Sequence, residues 1–164
     1  MGDGFIFWEQ PLRITGADSP ASVISKLQAQ FSGGRFGVNE RLSGAIDGER
    51  VRAYRKGAIA ASDVVQFVGT IRPHAGGVAI DGQLNYTPAT RLQFAGFLVI
   101  GIVLLALGAF NRISGATSGI DPLEVGAFIS IVTMIWIYSS KHMRGAQIEF
   151  IETRLKAAAA SADG

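Results

Sequence analysis

Between Arg91 and Arg112 the chain runs 20 residues without a charged side chain. As a helix rising about 1.5 Å per residue, that interval reaches roughly 30 Å, the thickness of a bilayer's hydrocarbon core. Its centre, Phe94 to Phe110, reads FAGFLVIGIVLLALGAF and holds 11 Leu, Ile, Val or Phe side chains. At about −0.3 to −0.6 kcal/mol each for insertion, they supply on the order of −3 to −7 kcal/mol before the Gly and Ala offsets. A membrane-spanning helix is therefore expected over residues 92–110.

A second apolar stretch, Val125 to Ser140, reads VGAFISIVTMIWIYSS between Glu124 and Lys141, with 16 uncharged residues, nearer 24 Å of helix. Asp121 and Pro122 suit the N-cap and first helical positions. Trp136 and Tyr138 fall where an aromatic belt sits, and Lys141 and Arg144 can extend to the headgroups. Although Ser130 and Thr133 interrupt it and leave a re-entrant or interfacial helix as the alternative, a span over residues 122–140 is expected, so the two segments form a helical hairpin. Gly101 and Gly108 on the first helix, and Gly126, Ser130 and Thr133 on the second, give small faces on which the backbones can approach. Two hydroxyls and no charge at that depth favour packing over a transport path.

The remaining charge distribution sets topology. The chain has 15 Lys and Arg against 13 Asp and Glu, a net +2. Of these 28 side chains only Arg112, Asp121 and Glu124 lie between Arg91 and Lys141, and residues 1–91 hold 18. The excess is too slight for a nucleic-acid partner. Arg72 and Arg91 precede the hairpin and Lys141, Arg144, Arg154 and Lys156 follow it, whereas the connection Asn111 to Ile120 is nearly neutral. Positive-inside reasoning puts both termini in the cytoplasm, as a two-pass protein of the inner (plasma) membrane. The start, Met1-Gly2-Asp3-Gly4-Phe5, lacks the basic and apolar regions of a signal peptide, and Ile6 stands where a myristoylation motif needs Ser or Thr.

Residues 1–90 read as a cytosolic α+β domain. Ser19-Pro20 opens a helix whose Val23, Ile24, Leu27 and Phe31 share one stripe until Gly33-Gly34. Then the period changes to strands at Leu42 to Ile46, Val51 to Tyr54, Val64 to Ile71 and Val78 to Tyr86, separated by Asp47-Gly48, Lys56-Gly57 and Gly76-Gly77. An antiparallel meander is expected, with Phe5 to Trp8 as a further strand ended by Pro11. Leu42-Ser-Gly44-Ala-Ile46 echoes Phe67-Val-Gly69-Thr-Ile71 at a spacing of 25, and Gly82 fits a bulge or a close backbone approach. Residues 141–164 are expected to form a short amphipathic cytosolic helix, Gln147 to Lys156, with Ile148, Ile151 and Leu155 covering the β-domain or the Val23 to Phe31 helix, then a small-residue tail from Ala157.

The inventory for chemistry is thin. Zero cysteines remove thiolate nucleophiles and thiolate metal sites. His74 follows Pro73 in a turn and His142 sits beside Lys141. No paired-histidine, nucleophile-elbow or phosphate-loop spacing occurs, so no catalytic residue, metal ligand or cofactor is assigned. An enzyme acting on membrane lipid needs Asp47, Asp63, His74 or Asp81 to converge in a cleft. The one concentrated polar feature is the strand Arg50-Val-Arg-Ala-Tyr-Arg-Lys56, whose alternation puts Arg50, Arg52, Tyr54 and Lys56 on one face. This face is a candidate docking patch for anionic lipid or a protein partner.

With Leu42-x-Gly44-x-Ile46, Phe67-x-Gly69-x-Ile71, Gly76-Gly77 and Ile80-x-Gly82 running into a two-span hairpin and a short helix, residues 40–155 resemble small uncharacterised bacterial membrane proteins. The resemblance implies a cytosolic β-rich domain followed by a two-helix transmembrane hairpin, and it carries no catalytic residues. The expected function is a non-catalytic integral membrane accessory subunit. It packs in the lipid against a larger membrane protein complex and docks its β-domain on that complex. The alternative is a membrane-tethered sensor binding a small ligand or lipid.

Overall fold

A computed structural model of the chain describes residues 8–32, 40–57, 64–115 and 121–160, the side chains of residues 140–143 excepted. The elements run β1 (Glu9–Gly16), α1 (Pro20–Ser32), β2 (Arg41–Asp47), β3 (Arg50–Lys56), β4 (Val65–His74), β5 (Gly77–Tyr86), α2 (Pro88–Ser114) and α3 (Pro122–Ala159). Two compact units result, Met1–Thr87 with Arg144–Gly164 and Pro88–Met143.

In the first unit the five strands form one antiparallel sheet in the order β1-β5-β4-β3-β2. The expected meander is β2 to β5, and β1 joins its far side against β5. The expected strand Phe5 to Trp8 lies outside the described residues except for Trp8. The strand begins at Glu9 and continues through Pro11, which was expected to end it. Proline is tolerated because β1 is an edge, where a missing N–H need not break the ladder. Gly48, at φ +58°, supplies the left-handed residue between β2 and β3.

Strand alternation puts Ile14, Leu42, Val51, Phe67, Ile71, Val78, Ile80 and Leu84 in the core. Glycines on that inner face make room for what covers it. A Cβ at Gly69 would stand 2.5 Å from Phe67 Cζ and from the Asp81 carbonyl oxygen, and one at Gly82 would be 2.6 Å from the same ring atom. Gly69 and Gly82 are register partners, so the Phe67 ring lies over a paired glycine floor and no bulge is needed. Gly44 does the same for Phe31 of α1. The echoed Leu-x-Gly-x-Ile and Phe-x-Gly-x-Ile segments thus share a packing role.

α1 starts as its sequence demands: Ser22 N–H donates to Ser19 Oγ at 3.2 Å and Val23 N–H to the Ser19 carbonyl at 3.0 Å. Its Val23 and Leu27 are fully buried. Asp18 accepts from Ser22 Oγ and pairs with Lys26 at 2.7 Å, and Lys26 Nζ also donates to the Ala160 carbonyl at 2.8 Å. A cation at that helix C-terminus satisfies a carbonyl that has no intrahelical partner.

The separate short C-terminal helix is corrected by the structure, because α3 is one helix of 38 residues. No proline interrupts residues 140–147, and Gly145 alone costs only about 1 kcal/mol. Ile151 and Leu155 are fully buried and Ile148 partly so, against the same core as the strands. The tail expected from Ala157 is corrected too: Ala158 and Ala159 are core residues at 1% exposure. β1 meets this end of α3 backbone to backbone, since a Cβ at Gly16 would run into the Ala159 carbonyl group. Gln147 is 2% exposed, and its Oε1 accepts the Val65 N–H at 2.9 Å.

Replacing Leu155 by Ala removes a fully buried side chain that closes the sheet. A loss of about 2–5 kcal/mol is expected, read from denaturant unfolding followed by Trp8 fluorescence. Lys26, with Ser22 and the Ser19 N–H, holds the Asp18 carboxyl below its ordinary value of 3.8. The stabilisation from this depressed carboxyl is therefore fully present above 3.8 and fades as pH falls through the lower folded value. Acid unfolding of Asp18→Asn is expected to lack that component, whereas its behaviour near neutral pH is flat in pH like the parent's.

Candidate functional site

Register places the outer face of the sheet without further assumption, because directly paired residues share a face. Asp47, Arg50, Thr70, Asp81 and Arg13 form one row across it, and Ala45, Arg52, Val68, Gln83 and Pro11 the next. Arg50, Arg52 and Lys56 are exposed and Tyr54 is half-buried. The four residues picked out by alternation therefore do share a face, with Arg72 on the neighbouring strand. Arg13 pairs with Asp81 at 3.3 Å, while Arg50, Arg52, Lys56 and Arg72 make no ion pair among the described residues. A shallow concavity of about 520 Å³ lies there, lined by Ala45, Asp47, Arg50, Arg52, Val68 and Thr70 among others. It presents the guanidinium groups of Arg50 and Arg52 and the Asp47 carboxylate beside small and apolar side chains.

Among the described residues the candidate carboxylates lie apart. Asp47 and Asp81 share a row but stand three strand spacings apart, roughly 14 Å. His74 is exposed at the end of β4, and Asp63 lies outside the described residues. Among the described residues no group of three or more metal-ligating side chains is found.

In the second unit, the small residues lie where α2 and α3 approach. A Cβ at Gly101 would stand 2.7 Å from Ser130 Oγ, and one at Gly126 would be 2.8 Å from the Leu105 backbone nitrogen. Gly108 meets the backbone of Leu123. Ser130 Oγ donates to the Gly126 carbonyl at 2.8 Å and Thr133 Oγ1 to the Ile129 carbonyl at 2.7 Å. Both hydroxyls thus satisfy themselves on their own helix. Trp136 stands edge-on to Phe94 and Phe97, at centroid distances of 5.5 and 5.8 Å. At the turn, Asp121 Oδ1 accepts the Leu123 N–H at 2.9 Å, and Arg112 donates to Asp121 Oδ2 at 2.8 Å.

Of the other expected interface residues, Tyr138 is 65% exposed and the Lys141 side chain lies outside the described residues. Arg144 belongs to the first unit, with its guanidinium 4.4 Å above the Trp8 ring. Neither His142 nor the connection at 116–120 is among the described side chains.

Comparisons with known proteins leave the family open. No protein-family model matches the chain, and no curated protein matches it. The chain is similar to a solved structure, the solution NMR structure of a polyketide-cyclase-like protein from Corynebacterium glutamicum. That match is 15% identical and covers 79% of this chain and 93% of that one, with a TM-score of 0.27. At that score the likeness carries no fold or functional argument. The resemblance to bacterial membrane proteins drawn from the glycine motifs finds no support in these comparisons.

Sequence reasoning missed a second cluster, around Arg55. Strand parity puts Arg55 opposite the basic face, where it pairs with Glu40 and sits 5.4 Å from the Phe150 ring, with Arg154 at 5.4 Å from the same ring. With Glu149 these residues line a hollow of about 440 Å³. The signal available was the position of Arg55 alongside Val51 and Ala53, the inward set of β3.

A leucine at Gly126 cannot coexist with the Leu105 backbone at its present distance. Gly126→Leu is expected to part α2 from α3 and strip Trp136 of Phe94 and Phe97. In a Trp8→Phe background the remaining tryptophan reports this as a shifted emission maximum, while Gly96→Leu, whose Cβ meets nothing within 4 Å, leaves it in place.

Proposed function

We propose that the chain is a non-catalytic, two-pass membrane accessory subunit, whose β-domain docks through its basic outer face on the cytoplasmic side of a larger membrane complex. The observation that carries the reading is the outward surface of the hairpin. α2 and α3 are long and apolar enough to cross a membrane by length and composition. Their close contacts use the small residues, which leaves the large ones outside: Leu92, Phe110, Ile113, Phe128 and Met134 are each at least 65% exposed. An apolar surface this continuous is stable only against lipid or another protein. The positive-inside bias supports both termini in the cytoplasm, in a bacterial inner (plasma) membrane.

The docking half of the proposal rests on Arg50, Arg52, Lys56 and Arg72, four cations without an ion pair among the described residues, on the outer face of the sheet. Acidic side chains on a protein partner complement it.

Two measurements separate the halves. Membranes carrying the chain are washed with carbonate, and the chain is expected to stay in the pellet; release into the supernatant overturns the membrane half. Affinity purification in mild detergent from native membranes is then compared between the parent and Arg50→Glu/Arg52→Glu. The double variant is expected to remain membrane-bound and to lose co-purifying partner by at least ten-fold, more so at low salt. Undiminished partner recovery overturns the docking half.

A further inference from the structure

The sheet has two edges, and they are built differently. β1 carries Pro11 and the charged Arg13 in its middle, devices that discourage another strand from pairing there. β2, at the opposite end of the strand order, has no proline and bears charge only at its first and last positions, Arg41 and Asp47. Among the described residues β3 is the strand it pairs with, and it closes the sheet order on that side.

The seven residues of β2 are complementary to themselves. An antiparallel copy centred on Gly44 sets Arg41 opposite Asp47, Leu42 opposite Ile46 and Ser43 opposite Ala45, with Gly44 facing Gly44. Every pair falls on one face. Arg41, Ser43, Ala45 and Asp47 belong to the outer side, and Leu42, Gly44 and Ile46 to the inner side, so the pairing keeps both sheets' cores on the same surface. Opposite charges meet twice, the branched apolar side chains meet twice, and the smallest residue sits on the axis. Half-buried Ile46 and Phe31 lie at this edge, apolar surface that a second sheet would cover.

We infer that β2 is a self-recognition edge: two copies of this chain pair β2 to β2, antiparallel about Gly44, into one ten-stranded sheet with twofold symmetry. Such an interface is isologous, the same patch serving both subunits, and uses strand addition for affinity with end charges for register. A consequence is that Arg50 and Arg52 of the two copies flank the axis on a common outer face, three strand spacings apart, roughly 14 Å. The pairing does not depend on the membrane reading.

Because the chain has no cysteine, introduced thiols report the register cleanly. Ser43→Cys and Ala45→Cys are made separately in the full chain, purified in mild detergent, mixed and oxidised. Both sites lie on the outer face and accept a small side chain, so folding is not at stake. The mixture is expected to give disulfide-linked dimer at least ten-fold above either variant alone, and above Gln83→Cys, an exposed outer-face site two strands further in than β3. Charge exchange adds a second arm. Arg41→Asp and Asp47→Arg are each expected to weaken the dimer, measured by light scattering, and the double exchange to restore it. Linking of the mixture no greater than for Gln83→Cys overturns the inference, and so does a monomer in scattering. A dimer whose singles link as well as the mixture overturns the Gly44-centred register.

Discussion

The closing of the sheet's inner face by α3 is the constraint on which the first unit depends. Five strands and α1 leave apolar side chains that Ile151, Leu155, Ala158 and Ala159 cover, with Ile148 and Phe150 beside them, and these arrive after the whole 88–143 segment. At about 1.5–3 kcal/mol for each large buried side chain, their absence removes a sizeable part of a stability that is normally 5–15 kcal/mol. Gln147 gives the contact direction as well as area, since its carboxamide takes the N–H of Val65 at the start of β4. The chain must therefore return from its apolar hairpin to complete the sheet domain that precedes it, a long-range closure that slows folding relative to local contacts.

That dependence explains what was legible beforehand. Period-two alternation is strong in β2 to β5 because one face is buried and the other wet, so inner and outer sets separate residue by residue. Ser19-Pro20 and Asp121-Pro122 mark helix starts through local hydrogen bonds, which need no tertiary knowledge. The outer face was readable for the same reason: Arg50, Arg52 and Lys56 follow from parity alone. β1 was misjudged because Pro11 reads as a stop until its edge position is known, and edge or centre is a property of pairing rather than of the strand.

The continuity of α3 was hidden by a change of surroundings along one helix. Residues 122–140 are apolar nearly all round, while 147–159 carry a stripe for a sheet, and a shift in pattern resembles a boundary. Only proline or a cap marks a true end, and neither occurs at residues 140–147. Arg55 was missed by a related limit: a cation on the inward set of a strand needs a partner, and Glu40 and Phe150 come from elsewhere in the chain. Such a group is recognisable as anomalous from parity, but its partners are not.

Glycine ties these strands of argument together. Gly69 and Gly82 make the floor for Phe67, Gly44 the seat for Phe31, and Gly101, Gly108 and Gly126 the crossing of α2 and α3. In each place the missing side chain exchanges conformational cost, roughly 0.5–1 kcal/mol against alanine in an element interior, for contact that a methyl group would forbid. Gly44 has the additional effect of leaving β2 slender at its midpoint. A bulkier residue there would collide with the Arg52 carbonyl of β3 and with the Phe31 ring, and so would disturb both the β2–β3 ladder and the seat of α1. The same small residue that lets α1 settle on its own sheet is also the one that the proposed pairing sets on the twofold axis, so a single substitution there bears on packing within one chain and on pairing between two.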